Sequence, residues 1–375
     1  MEKRDYRRNA GAMIYLVSCA LQNRVPDAEK LKQIRLDALF EVCQDHVLTA
    51  CAAYALESAG ICDKQFKEAK EKAIRKNVLL DAERAKILRR MEQEKIWYMP
   101  LKGALLHSWY PKLGMRQMSD NDILCDSSKM KQVREIFLDE GYTCEKFGRE
   151  KDDVYFKQPV LNFEMHRSLF GNAFSEQIRR YYEGVQARLI RNKDCEYGYS
   201  FTQEDFYLYM LAHEYSHFAF GGTGVRSLAD TYVFLKKCGS SLDWSYIRRE
   251  LRKLELADFE QQNRELAMKL FERKKLTDAE KKLLNFHIFS GAYGTTEIVV
   301  RHFYELFGTG SEIKYSLYRV FPPYSYVQKV VPWVKGRPLL LPAAWVYRFY
   351  RGLTSGRSNL LSEIRYTVRR ICGRA

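Results

Sequence analysis

The sequence predicts an α+β fold in which a small mixed β-sheet is embedded in a predominantly helical chain. Three observations carry that expectation. Residues 1–92 repeat apolar positions three and four apart among lysine, glutamate and arginine, as amphipathic helices require. Residues 93–172 break into short apolar runs punctuated by glycine, proline and serine, the texture of strands and turns. From 173 to 310 helical periodicity returns, and 311–375 form an aromatic and basic C-terminal segment expected to pack on that helical domain.

Each element follows from its residues. LDALFEVCQDHVLTACAAYAL and KQFKEAKEKAIRKNVLLDAERAKILRRMEQE read as helices, the second long, charged and striped with apolar positions on one side. IWYMPLKG is a short strand-like run ending in glycine, and ALLHSWYP is a helical turn or two closed by proline. NDILC is strand-like after the loop GMRQMS. SSKMKQVREIFLDEG makes an amphipathic helix, with Ser127 or Ser128 as its N-cap and Gly141 as its stop. YTCEKFG, DVYFKQ and LNFEMHR supply three more strands, which completes a mixed sheet backed by helices. Beyond 173, SEQIRRYYEGVQARLIR, TQEDFYLYMLAHEYSHFAF, VRSLADTYVFLKKCG and DWSYIRRELRKLELADFEQQNRELAMKLFERK are helical, with GGTG at 221–224 between the second and third.

A chain of 375 residues with a 46% apolar share can bury a sizeable core, and its 25 tyrosines and 21 phenylalanines read mainly as packing. The apolar run near the N-terminus is short and no cleavage site follows it, so no signal peptide is expected. No stretch approaches the roughly 18 apolar residues of a membrane span. The nine cysteines are scattered without a CxxC pair and read as reduced core thiols of a soluble, cytoplasmic protein. A formal charge of +15 points to an anionic partner, or else to a merely basic surface.

Two stretches propose chemistry. In QMSDNDILCD, Asp120 and Asp122 alternate along a strand, so both carboxylates leave the same face. Two carboxylates so close repel unless a cation lies between them, and hard oxygen ligands favour Mg²⁺. Metal-assisted phosphoryl or nucleotidyl transfer uses such a pair. Upstream, Lys102-Gly103-Ala104 opens a helix where glycine lets the backbone approach a phosphate. Downstream, Glu164 is acidic at an otherwise apolar spot in LNFEMHR and supplies a third carboxylate, or else is an edge-strand residue facing water.

The order PLKGALLHSWYP, GMRQMSDNDILC, a helix, GY and a strand carrying FEMHRSL resembles the uncharacterised bacterial nucleotidyltransferase family within the DNA polymerase beta superfamily. HEYSH, Arg226, Asp230, FPPYSYVQKVVPWV and LLLPAAWVYRF resemble it too. The resemblance implies a polymerase-beta-like nucleotidyltransferase core at 93–172. It also implies a catalytic, metal-holding set of Asp120, Asp122 and Glu164. Ala104 stands where the superfamily often has serine or glycine, and the third acid is a glutamate.

The second stretch is His213-Glu214-Tyr215-Ser216-His217, a match to the HExxH zinc signature. Phe220 and Thr223 occupy the positions of the metzincin glycine and third histidine, and no glutamate follows between 218 and 249. The match is therefore read as a coincidence of spelling. His213 and His217 either bond to Asp230 or to carbonyls in a helix contact, or join Arg226 around a triphosphate or acceptor. Arg116 reaches the phosphates or is a solvated loop arginine. His166 orients the acid or the acceptor, or is a satisfied core histidine.

The function expected is Mg²⁺-dependent (or Mn²⁺-dependent) transfer of a nucleoside monophosphate from a nucleoside triphosphate, such as ATP, to a hydroxyl of a small-molecule, protein or RNA acceptor. Lys102, Gly103, Arg116, His166, His213, His217 and Arg226 would bind the nucleotide. The alternatives are an HExxH zinc hydrolase and a catalytically inactive nucleotidyltransferase-fold module that binds an anionic partner.

Overall fold

The computed structural model describes residues 1–148, 151–171, 174–292, 294 and 321–354. Of the C-terminal segment, 311–320 and 355–375, with Cys372, lie outside the described residues. The chain divides into two compact units, Met1–Ser216 with Gly224–Ala292, and His217–Thr223 with Tyr293–Ala375.

The first unit opens with helices α1 (Lys3–Leu21), α2 (Ala28–Leu31), α3 (Leu36–Asp45), α4 (Thr49–Ser58) and α5 (Lys64–Gln93). In α5 the buried residues Phe66, Ala73, Asn77, Leu80, Ile87 and Met91 fall three, four or seven apart, so one stripe faces inward and the charges face out. Asp63 caps the helix by accepting from the Phe66 N–H at 3.1 Å.

The sheet elements then come in the expected order: β1 (Tyr98–Pro100), α6 (Lys102–Leu106), β2 (Asn121–Cys125), α7 (Met130–Asp139), β3 (Thr143–Lys146), β4 (Asp152–Lys157) and β5 (Leu161–His166). Strand order is β1-β2-β5-β4-β3, with β2 and β5 parallel and the other pairs antiparallel. Gly141 ends the helical stretch in the left-handed region, as expected. The cap differs from expectation: Asp126 accepts from the Ser128 N–H at 3.0 Å, because a 3₁₀ turn at Ser127–Lys129 precedes α7. A carboxylate two residues upstream reaches that amide where a serine inside the turn does not.

One face of the sheet, with Ile123, Cys125, Phe163 and Met165, packs under α5 and α7. The opposite face carries Asp122, Leu124, Glu164 and His166, by the two-residue alternation of strands. Leu124 on that face joins a second core with Met99, Leu106 and residues of the helix at 203–220.

After β5 come α8 (Glu176–Tyr181), the small hairpin β6 (Ile190–Arg191) and β7 (Tyr199–Ser200), then α9 (Gln203–Phe220) and α10 (Gly224–Cys238). The long helical run expected after 243 is two helices, α11 (Trp244–Leu254) and α12 (Ala257–Phe271), because Glu255 turns into the left-handed region between them. Helix α13 (Asp278–Ser290) ends the first unit. In the second unit, α14 (Tyr324–Val330) and α15 (Leu341–Thr354) share a small core of Val327, Val331, Val334 and Ala344. Among the described residues the cysteines are free, and Cys62 is exposed where a core thiol was expected. No described helix is long and apolar enough to cross a membrane.

Candidate active site

Two anchors set the position of β2. Asn121 is fully buried at the strand's start; its amide donates to the Leu80 carbonyl at 3.0 Å and accepts from Arg84 at 2.8 Å, both on α5. The Leu101 N–H donates to the Asp122 carbonyl at 2.9 Å, which ties the end of β1 to the same spot. The loop ahead of β2 is held as well: Asn77 donates to the Arg116 carbonyl at 3.0 Å, and the Gln117 side chain accepts from the Ala50 N–H at 3.1 Å. Gly114, in the left-handed region, passes so close to α5 that a Cβ there would lie 2.8 Å from Ile74 Cγ1, which explains a glycine.

Asp122 and Glu164 are register partners on the parallel strands β2 and β5. Glu164 therefore stands on the central strand, which removes the edge-strand alternative. Asp120 lies just before β2, which begins at Asn121, so the expected strand pair is one residue inside the strand and one at its mouth. His166 Nε2 lies 2.8 Å from Asp122 Oδ1 and 3.9 Å from Glu164 Oε2. It is buried, and its Nδ1 has no hydrogen-bond partner among the described residues.

Among the described residues, the group of acidic, histidine or cysteine side chains able to hold a metal ion is Asp122, Glu164 and His166, whose ligand atoms lie within 4.8 Å of one another. Two carboxylates in the group, with Asp120 near them, make an oxygen-rich donor set of the kind that suits Mg²⁺ or Mn²⁺. The His166 contact to Asp122 fixes the orientation of that carboxylate.

Charge around the three acids is unevenly shared. Burial acts to raise the Asp122 carboxyl, but the hydrogen bond and charge of His166, with Lys102 and Lys151, hold it well below the usual range. Asp120 is pushed up by burial and by the Asp122 charge, and Glu164 by burial and by both aspartates. A cation between the carboxylates would relieve the part of that shift that comes from their mutual repulsion.

Cations stand nearby. Burial lowers the Lys102 ammonium to about 8, so it stays mostly charged at neutral pH while sensing Asp122 and Asp120. Its Nζ lies 2.9 Å and 2.7 Å from the two ring nitrogens of His213, and donates to the one that presents a lone pair. Arg226 interacts electrostatically with Asp120, Lys102 and Asp230, and makes no hydrogen bond or ion pair among the described residues. Lys76, on α5, also faces the Asp120 charge; nothing short of the folded helix marks it out among the many lysines of that helix.

Arg116 is neither a solvated loop residue nor an open phosphate clamp. It is buried, and its Nε and Nη2 donate to Asp230 Oδ1 and Oδ2 at 2.7 and 2.9 Å. A Cβ at Gly103 would lie 3.3 Å from Arg116 Nη1, so glycine there makes room for the guanidinium behind α6. Asp230 and the Tyr110 hydroxyl, 2.8 Å apart, complete this pairing. His213 meets Lys102, and Asp230 accepts from Arg116 and Tyr110. His217 is exposed and belongs to the second unit.

In HEYSH the glutamate of the zinc signature is engaged elsewhere. Glu214 is turned inward, where its Oε1 accepts from Asn263 at 2.7 Å, and burial raises its carboxyl to about 7. A glutamate so engaged does not face a water held by the flanking histidines.

Comparison with known proteins shows the family. A family model for uncharacterised nucleotidyltransferases matches residues 32–272, well over half of the chain and all of the sheet. No curated protein and no solved structure matches.

Proposed function

The chain belongs to the uncharacterised nucleotidyltransferase family, and from that premise we propose that it moves a nucleoside monophosphate from a nucleoside triphosphate, ATP among them, to an acceptor hydroxyl. One observation carries the reading: Asp122 and Glu164 stand side by side on the central parallel strands, with Asp120 at their mouth.

Asp120 and Asp122 would hold one divalent cation, and Glu164 with either aspartate a second; Mg²⁺ or Mn²⁺ there would neutralise the triphosphate and make the acceptor hydroxyl more acidic. The chain's own groups do the rest. The acceptor oxygen bonds to the α-phosphorus as the bond to the bridging oxygen breaks, and pyrophosphate leaves. The hydroxyl proton passes to a free oxygen of the Glu164 carboxylate. Lys102, the Gly103 amide and Arg226 face the departing charge, and Arg116 braces Gly103 from behind. His166 holds Asp122 ionised and oriented. His213 positions Lys102.

Calorimetric titration of ATP, GTP, CTP and UTP with Mg²⁺ tests the reading. Binding of at least one nucleotide is expected to the unmodified protein and is lost in the double variant Asp120→Ala, Asp122→Ala. Glu164→Gln is expected to keep nucleotide binding and lose pyrophosphate release. Equal binding by the unmodified protein and the double aspartate variant, or stoichiometric zinc that His213→Ala removes, would overturn it.

A further inference from the structure

Helix α15 is inside out. Its inward positions Leu341, Ala344, Trp345 and Arg348 repeat three and four apart; the first three pack with Val327, Val331 and Val334, while Arg348 lies 5.4 Å from the centre of the Tyr326 ring. The outward positions, where a helix in water carries charge, are Val346 and Phe349 with Tyr350, exposed to 71%, 47% and 65%. Just before the helix, Leu339 is 93% exposed, and Trp333 meets Tyr347 edge to face at 5.9 Å.

The charge of this segment is one-sided. Residues 321–354 contain Lys329, Lys335, Arg337, Arg348 and Arg351 and no aspartate or glutamate. Lys335 and Arg337 are exposed beside Leu339. An apolar face rimmed by aromatics and cations has few chemical matches. A second copy of the chain would bring Lys335 and Arg337 of both copies together with no acid in the segment to pair them, which costs free energy as they desolvate. RNA would satisfy the cations and stack on the rings, but it offers nothing to Leu339 and Val346. An anionic bilayer surface suits all three kinds of group: lipid phosphates for the cations, the headgroup level for Trp333 and Tyr347, and acyl chains for Leu339, Val346 and Phe349.

We propose that the 321–354 segment is a docking surface for an anionic membrane leaflet, on which α15 lies in the interface plane. The helix has 14 residues and is about 21 Å long, short of the ~30 Å hydrocarbon core, so it rests on the bilayer and does not cross it.

The test is flotation of the full chain with phosphatidylcholine vesicles, with and without phosphatidylglycerol, at low and high salt. The unmodified protein floats with the phosphatidylglycerol vesicles, and salt weakens that binding. The triple variant Leu339→Ser, Val346→Ser, Phe349→Ser binds at least about a hundredfold more weakly, since three apolar side chains no longer enter the lipid. The variant Lys335→Gln, Arg337→Gln binds roughly thirtyfold more weakly. All five positions are exposed, so both variants keep the circular dichroism spectrum and thermal midpoint of the unmodified chain. The proposal is overturned if the unmodified protein floats with neither vesicle, or if the triple variant floats as well as it does. It is equally overturned if the unmodified protein ignores both vesicles but forms a dimer that the triple variant abolishes, or binds an RNA oligonucleotide through Lys335 and Arg337.

Discussion

Replacing Asp230 by alanine should cost the protein about 4 kcal/mol, and the structure shows why. Arg116 is buried with only 7% of its side chain exposed, and two of its donors end on Asp230. Removing the carboxylate strands a buried guanidinium, a loss of about 3–5 kcal/mol in comparable pairs. The Tyr110 hydroxyl loses its acceptor too, but that loss overlaps the first and does not simply add. Followed by tryptophan fluorescence in urea, the midpoint should fall by on the order of 1 M. Asp230→Asn keeps an oxygen for Tyr110 and one Arg116 donor, so it should lose about half as much. The paired variant Arg116→Met, Asp230→Leu removes both charges at once and should be more stable than Asp230→Ala alone. A midpoint shift worth less than about 1 kcal/mol for Asp230→Ala, or a paired variant no better than the single one, would refute this account of the buried pair. The sign with pH is also determined. Arg116 outweighs burial and holds the Asp230 carboxyl below its ordinary value, so its stabilisation is full above about pH 4 and fades as pH falls toward the lowered value.

Around Gly224 two further expectations meet. Its φ is +64°, and a Cβ there would lie 2.8 Å from Gly291 C, Ala292 N and His46 Nδ1, so Gly224→Ala should cost more than about 2 kcal/mol in a thermal melt. Beside it, His46 accepts from the Val225 N–H at 3.2 Å and His287 donates to the Gly224 carbonyl at 3.2 Å. Burial lowers both imidazoles from 6.5 to about 4. The unfolded chain therefore binds more protons between those values, so stability is present above pH 6.5 and is lost as pH falls toward 4. Urea midpoints across that range should slope with pH, and the slope should flatten in His287→Gln; an unchanged slope would contradict the assignment.

The elements of the sheet were legible in the residues because strand, helix and turn are local signals. Period-two alternation in NDILC and LNFEMHR places Asp122 opposite in sense to Ile123, and Glu164 and His166 opposite to Met165, whatever the rest of the chain does. The charged stripe of α5 and the glycine at 141 are equally local. What alternation does not encode is which strands are neighbours and in what register. Asp122 faces Glu164 because β2 and β5 pair in parallel across some forty intervening residues, and that pairing depends on α5 and α7 covering one face of the sheet. The same holds for the long-range side-chain pairs. Arg116 meets Asp230 across 114 positions, Lys102 meets His213 across 111, and Glu214 meets Asn263 across 49. A side chain's chemistry is written at its own position, but its partner is chosen by the packing of distant segments, which bury some charges together and leave others facing an open site. The sequence alone therefore supplied the reactive groups and the strands that carry them. The tertiary structure decided which carboxylates converge, which cations lie near them, and which arginine is paired inside the fold, because burial and pairing are properties of the assembled chain.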